Sequence, residues 1–168
     1  MMRARDALEV VRRLHAAGVR VWLDGGWGVD ALIGHQTRDH DDLDLVIPLC
    51  ESDAARRTLT ALGFALVEDE PTLCFVARDA GDRRVDVHTV AFDGEGGALQ
   101  RQEDGSFWRY PPEGFSGLGR VVGSEVACLS AEAQVLCHLN YEPDETDRRD
   151  MELLAESRGM TLPRPYGP

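Results

Sequence analysis

Asp42 and Asp44 alternate with Leu43, Leu45 and Ile47 in the run DLDLVI. Residues i and i+2 of a strand share a face, so this spacing puts both carboxylates on one side and the three apolar chains into a core. Two carboxylates that close repel each other unless a cation sits between them. A third acid, Asp86, lies in RVDVHTV. There Val85 and Val87 face a core while Asp86 and His88 face away, and an acid inside a β-branched run needs a partner. Neighbouring strands lie about 4.8 Å apart. Three carboxylates on adjacent strands can therefore converge on one metal cluster. Two metals about 3.5–4 Å apart can hold both the attacking oxygen and the leaving phosphate of a displacement.

The stretch VWLDGGWGVDALIG precedes the first two acids. It reads as a strand at Val19–Leu23, a turn at Asp24-Gly25-Gly26 and a helix from Trp27 to Ile33 stopped by Gly34. A glycine turn that opens a helix offers backbone N–H groups to an anion. Arg38 and His40 in the loop that follows can neutralise phosphate oxygens. A phosphate-binding turn at Gly25-Gly26, with Arg38 and His40, next to a metal-binding pair implies a nucleoside triphosphate with magnesium. Plainer roles stand beside these. An Asp-x-Asp pair is often a solvated sheet edge. Trp27 reads as a packing anchor, Asp24 as a possible helix cap and Asp30 as a solvated face. His88 reads as a functional group or as a core hydrogen bonder.

Amphipathic spacing of Ala7, Leu8, Val11 and Leu14 predicts a helix over Arg5–Ala17, ended by Gly18. Ser52 caps a helix through Leu62 that Gly63 closes. A strand at Phe64–Glu68 breaks at Asp69-Glu70-Pro71, and Leu73–Ala77 forms a hairpin with Arg83–Val90. From Phe92 to Gly119 no period holds. Glycines and prolines interleave with Phe107, Trp108, Tyr110 and Phe115, which predicts a long ordered loop with short strands, either pocket wall or core edge. A hairpin turns at Gly123-Ser124. Ser130 caps a helix to about Tyr141, which brings Glu132, His138 and Tyr141 onto or near one helix as candidates for contact with a substrate. Asp144 or Thr146 caps a last helix to about Glu156. Its Asp147-Arg148-Arg149-Asp150 cluster reads as a solvated face.

The 168-residue chain is long enough to bury a real core. It divides into a core at 1–129 and a C-terminal helical segment and tail at 130–168, packed as one unit. The formal net charge of -12 repels nucleic acid and anionic membranes and suits a cationic partner. No stretch approaches the ~20 apolar residues of a membrane span, and the first residues lack a signal-peptide core. The four cysteines, Cys50, Cys74, Cys128 and Cys137, have no zinc or C-x-x-C spacing and sit in apolar runs, so they read as buried free thiols in a reducing cytoplasm.

Taken together, VWLDGGWGVDALIG, HDDLDLVI, VDVHTV, CLSAEAQ and TDRRDMELL resemble the small lincosamide and aminoglycoside nucleotidyltransferases of the DNA polymerase beta-like superfamily. The resemblance runs from Arg20 to about Leu154. It implies an α+β nucleotidyltransferase fold, a mixed β-sheet flanked by helices with a short C-terminal helical segment. It also implies transfer of AMP from ATP, with two Mg2+ ions, to a hydroxyl of an antibiotic. Asp42 and Asp44 match the metal-binding pair, and Asp86 matches a third carboxylate that serves as metal ligand or general base. The wider superfamily has Gly-Ser at the phosphate turn where this chain has Gly25-Gly26, so backbone N–H groups, Arg38 or His40 must replace the hydroxyl. The expected acceptor is a small cation such as an aminoglycoside or a lincosamide. A protein, RNA or metabolite acceptor of toxin-antitoxin type, and a non-catalytic nucleotide-binding protein, are the alternatives.

Overall fold

The computed structural model describes residues 1–70, 72–139 and 141–167. Among them the elements are α1 (Ala4–Ala16), β1 (Trp22–Leu23), α2 (Gly25–Ile33), β2 (Asp42–Pro48), α3 (Ser52–Ala61), β3 (Ala65–Glu70), β4 (Cys74–Arg78), β5 (Arg84–Phe92), β6 (Ala98–Arg101), β7 (Phe107–Tyr110), β8 (Gly117–Val121), β9 (Ser124–Cys128), α4 (Ala131–Cys137) and α5 (Glu145–Arg158). The strands form one mixed sheet in the order β3-β4-β5-β2-β1-β9-β8, and the β6–β7 hairpin continues from β5.

The centre of the sheet is the parallel pair β2 and β5, in which Asp44 stands opposite Asp86 and Leu45 opposite Val87. Alternation then decides the two faces. Leu43, Leu45, Ile47, Val85 and Val87 are buried in a cluster shared with Leu8, Val11 and Leu14 of α1, Leu59 of α3 and Met151 and Leu154 of α5. Each such side chain contributes about 1.5–3 kcal/mol on burial, so this row fixes the register and with it the acids on the opposite face. A second cluster gathers Val46, Val90, Ala98, Tyr110, Leu129 and Ala133, with Trp22, Phe92, Trp108 and Phe115 packed against it. This cluster ties the β6–β7 hairpin to the sheet.

Several boundaries depart from the sequence expectations. The glycine turn is the first turn of α2, which starts at Gly25 because Asp24 serves as its N-cap. Glu51, not Ser52, occupies the N-cap position of α3, which follows a 3-10 turn at Leu49–Glu51. The β3 strand runs on to Glu70, since β4 supplies pairing partners that far; Pro71 of the expected break lies outside the described residues. The 92–119 stretch contains β6, β7, a 3-10 turn at Pro112–Phe115 and the start of β8. The helix expected to reach Tyr141 ends at Cys137 with His138 as its C-cap, and Asn140 lies outside the described residues. Asp144 caps α5 through a reciprocal box with Asp147. Cys128 is buried but Cys50 is exposed, contrary to the expectation of four buried thiols, because the apolar run ends where the 3-10 turn swings outward.

Candidate active site

Asp42 and Asp44 on β2 and Asp86 on β5 each offer a carboxylate oxygen within 4.8 Å of the other two. All three side chains are half-buried. Burial comes first among the causes that hold the Asp44 carboxyl well above the usual carboxylate range; Asp42, Asp24 and Asp86 add to it and Arg84 opposes it. Burial also raises Asp86, while Arg84 pulls it back without cancelling the shift. An all-oxygen, negatively charged and partly desolvated donor set fits a hard divalent cation such as magnesium. Arg84 was not singled out from the sequence. It faces the same side as the acids, opposite Asp42 in the ladder. Its guanidinium binds Asp86 through Nε at 3.1 Å to Oδ1 and an Nη at 2.8 Å to Oδ2. The signal was present, because Arg84 and Asp86 share a strand face by the same i, i+2 rule that paired Asp42 with Asp44.

The N-terminus of α2 adjoins these acids. Asp24 is buried and its Oδ1 accepts the Gly25 N–H at 2.8 Å. The N–H groups of Gly26 and Trp27 remain without a carbonyl four residues back in the helix, as first-turn groups do. Gly25 adopts φ +54, and a Cβ there would run into the Asp44 carboxylate. A Cβ on Gly26 would meet the His40 ring and Arg38. Glycine at both positions lets the helix end approach the carboxylates and the two basic side chains.

Arg38 and His40 are held from behind. Arg38 donates to both oxygens of Asp150, with an Nη at 2.8 Å from Oδ2 and Nε at 3.1 Å from each oxygen. His40 is buried; its Nε2 lies 2.6 Å from Asp30 Oδ2 and its ring centroid 4.5 Å from that of Trp27. Asp30 is therefore not a solvated face: it is 2% exposed and its Oδ1 also accepts the Thr37 hydroxyl at 2.6 Å. The helix α2 is buried nearly all round, so its acid had to find partners inside. Asp150 likewise leaves the expected solvated cluster, being 3% exposed.

A cleft of about 360 Å³ opens over this face. Asp24, Gly25, Asp44, His88, Gln100, Gln102, Trp108, Tyr110, Cys137, His138 and Tyr141 line it. The structure thus brings together Gly25, Asp44, His88, His138 and Tyr141. Glu132 stands apart: α4 turns Ala131, Ala133, Gln134 and Val135 inward and leaves Glu132 exposed. Gln100, Gln102 and Trp108 come from the hairpin that the sequence pattern did not resolve.

Three acids thus converge on parallel strands beside an open helix end, and solved nucleotidyltransferase structures share this fold. The lincosamide antibiotic adenylyltransferase LnuA, solved with lincomycin bound, superposes with a TM-score of 0.81 at 25% identity over 91% of this chain and 96% of its own. The structure of ANT(2'')-Ia with adenylyl-2''-tobramycin shares the fold at a TM-score of 0.76 and 22% identity, over 93% of this chain and 89% of its own. The chain belongs to the aminoglycoside-2''-adenylyltransferase family, whose model matches residues 6–154. Among its relatives, a lincosamide resistance protein of Staphylococcus haemolyticus is 29% identical over 81% of this chain and 84% of its own length. A 2''-aminoglycoside nucleotidyltransferase of Escherichia coli is 31% identical over 72% of this chain and 64% of its own.

Proposed function

We propose that the enzyme transfers AMP from MgATP to a hydroxyl of a small cationic antibiotic, a lincosamide or an aminoglycoside, and releases pyrophosphate in the cytoplasm. The observation that carries this reading is the convergence of Asp42, Asp44 and Asp86 within 4.8 Å beside the open first turn of α2. The relatives named for lincosamide resistance and 2''-aminoglycoside transfer support the acceptor class.

Asp42, Asp44 and Asp86 would hold the divalent cations. When bound, these supply positive charge to the phosphoryl oxygens and the departing pyrophosphate. The free N–H groups at Gly26 and Trp27 and the guanidinium of Arg38 orient the triphosphate. Asp86 takes the proton of the acceptor hydroxyl as its oxygen bonds to the α-phosphorus in line, and the bond from that phosphorus to pyrophosphate breaks. The cleft lined by His88, Trp108, His138 and Tyr141 receives the acceptor.

The test is pyrophosphate release from MgATP across a panel holding lincomycin, tobramycin, and neutral and anionic sugars, with the product identified by mass. An AMP adduct on lincomycin or tobramycin supports the proposal. MgATP binding without release for any antibiotic of either class contradicts it.

A further inference from the structure

At one end the cleft is walled by His138 and Tyr141, which lie between α4 and α5, outside any helix or strand. Each is tied from behind. The Tyr141 hydroxyl donates to Asp147 Oδ1 at 3.0 Å, and Asp147 Oδ2 accepts the Asp144 N–H at 2.9 Å, so the capping box of α5 holds that ring. His138 is held by a segment much further along the chain. It is the C-cap of α4, and the last carbonyls of a helix lack an intrahelical partner. The His138 carbonyl accepts the Tyr166 hydroxyl at 2.8 Å. Its ring Nδ1 lies 2.8 Å from the Gln134 carbonyl, so ring and backbone shift together. Tyr166 is itself placed from three sides. Its ring and Leu162 pack against the main core, its N–H meets the Pro163 carbonyl at 3.0 Å, and Arg148 of α5 donates to the Pro165 carbonyl at 3.0 Å. These residues lie beyond the family match at 6–154.

We propose that Tyr166 is a positioning residue: the segment after α5 is a strap whose phenol sets the end of α4, and with it the His138 wall, for the acceptor. This rests on the transfer reaction proposed above and adds a residue to it that touches neither substrate. The strap acts on the wall and not on the acids, because Asp42, Asp44 and Asp86 are fixed by the register of β2 and β5. A hydroxyl that served only to cap α4 would stabilise the fold and leave the affinity for an acceptor alone. A strap changes that affinity and spares the handling of MgATP.

The variant is Tyr166→Phe in the full chain, which removes one hydroxyl and keeps the ring in its packing. Two readouts are compared with the parent. The first is amide hydrogen exchange without nucleotide or acceptor. The N–H groups of His138 and Leu139 close the last turn of α4 on the carbonyls of Gln134 and Leu136. They should exchange about fivefold faster, the worth of one neutral hydrogen bond, while Leu45 and Val87 at the sheet centre keep the parent rate. The second is steady-state transfer to lincomycin or tobramycin, whichever is used. The KM for the acceptor should rise about fivefold, with kcat and the KM for MgATP within about twofold of the parent. Parent-like exchange at both His138 and Leu139 overturns the proposal. So does an acceptor KM that stays at the parent value or rises no further than the KM for MgATP. If neither drug is a substrate, the transfer reading fails on its own, and the exchange rates still decide whether Tyr166 holds His138.

Discussion

Arg38 grips both carboxylate oxygens of Asp150 across 112 residues of sequence. The pair joins the basic loop over Gly26 to the C-terminal helix, so α5 helps to aim the Arg38 guanidinium at the N-terminal end of α2. Asp150→Asn should leave Arg38 partly unheld. Removing one partner of a buried pair costs about 3–5 kcal/mol, and Arg38's 31% exposed side chain brings the expectation down to about 1–3 kcal/mol. Urea titration should show that loss, and calorimetry should show weaker MgATP binding. Unchanged nucleotide affinity in a folded Asp150→Asn would separate Arg38 from the triphosphate.

Arg84 would compete with any cation held at Asp86. Its bidentate bond neutralises one of the three carboxylates. Hydrogen bonds to charged groups contribute about 1.5–3 kcal/mol, but this guanidinium is 36% exposed. A discounted value of about 1 kcal/mol corresponds to roughly fivefold in affinity. Arg84→Gln should therefore bind Mn2+ about fivefold more tightly than the parent, as read by electron paramagnetic resonance of free Mn2+. Weaker Mn2+ binding would mean that Arg84 assembles the cluster and does not oppose it.

Asp44 contributes to the pH dependence of the metal-free fold. Its folded pKa lies above the unfolded value of about 3.9, so between the two the folded state binds more protons than the unfolded state. Stability of metal-free protein thus falls as pH rises from about 4 through the folded pKa of Asp44. Asp44→Asn removes this buried charge and its repulsion by Asp42, Asp24 and Asp86, and should flatten that part of the profile and raise stability at neutral pH in chelator, while abolishing the stabilisation by Mg2+. Urea midpoints across pH, with and without Mg2+, measure both. A variant less stable than the parent in chelator would contradict the sign.

The sheet centre and the acid cluster were readable because each depends on local alternation: DLDLVI and RVDVHTV place their acids and apolar chains without reference to anything distant. Helix stops at Gly18 and Gly34 are equally local. What the pattern hid depends on contacts far apart in sequence. Asp150 sits in a run of charges that reads as solvated, yet it shares the helical stripe of Met151 and Leu154, both fully buried. Spacing alone could have moved it inward. Asp30 was missed because α2 has no polar face against which its burial would stand out. The place of Gln100, Trp108 and Tyr110 in the cleft wall was hidden because β6 and β7 are four residues each and glycine-rich turns surround them, so no period develops.

The measurement that bears most directly on the carboxylate cluster is AMP-adduct formation on lincomycin or tobramycin, whichever the panel identifies. It is followed by mass spectrometry with saturating MgATP for the parent, Asp42→Asn, Asp44→Asn and Asp86→Asn. Adduct should form with the parent only when a divalent cation is present. Asp42→Asn and Asp44→Asn should form none, and Asp86→Asn should turn over about 10²–10⁴-fold more slowly. Adduct formation at the parent rate by Asp42→Asn and Asp44→Asn would contradict the assignment of chemistry to these acids.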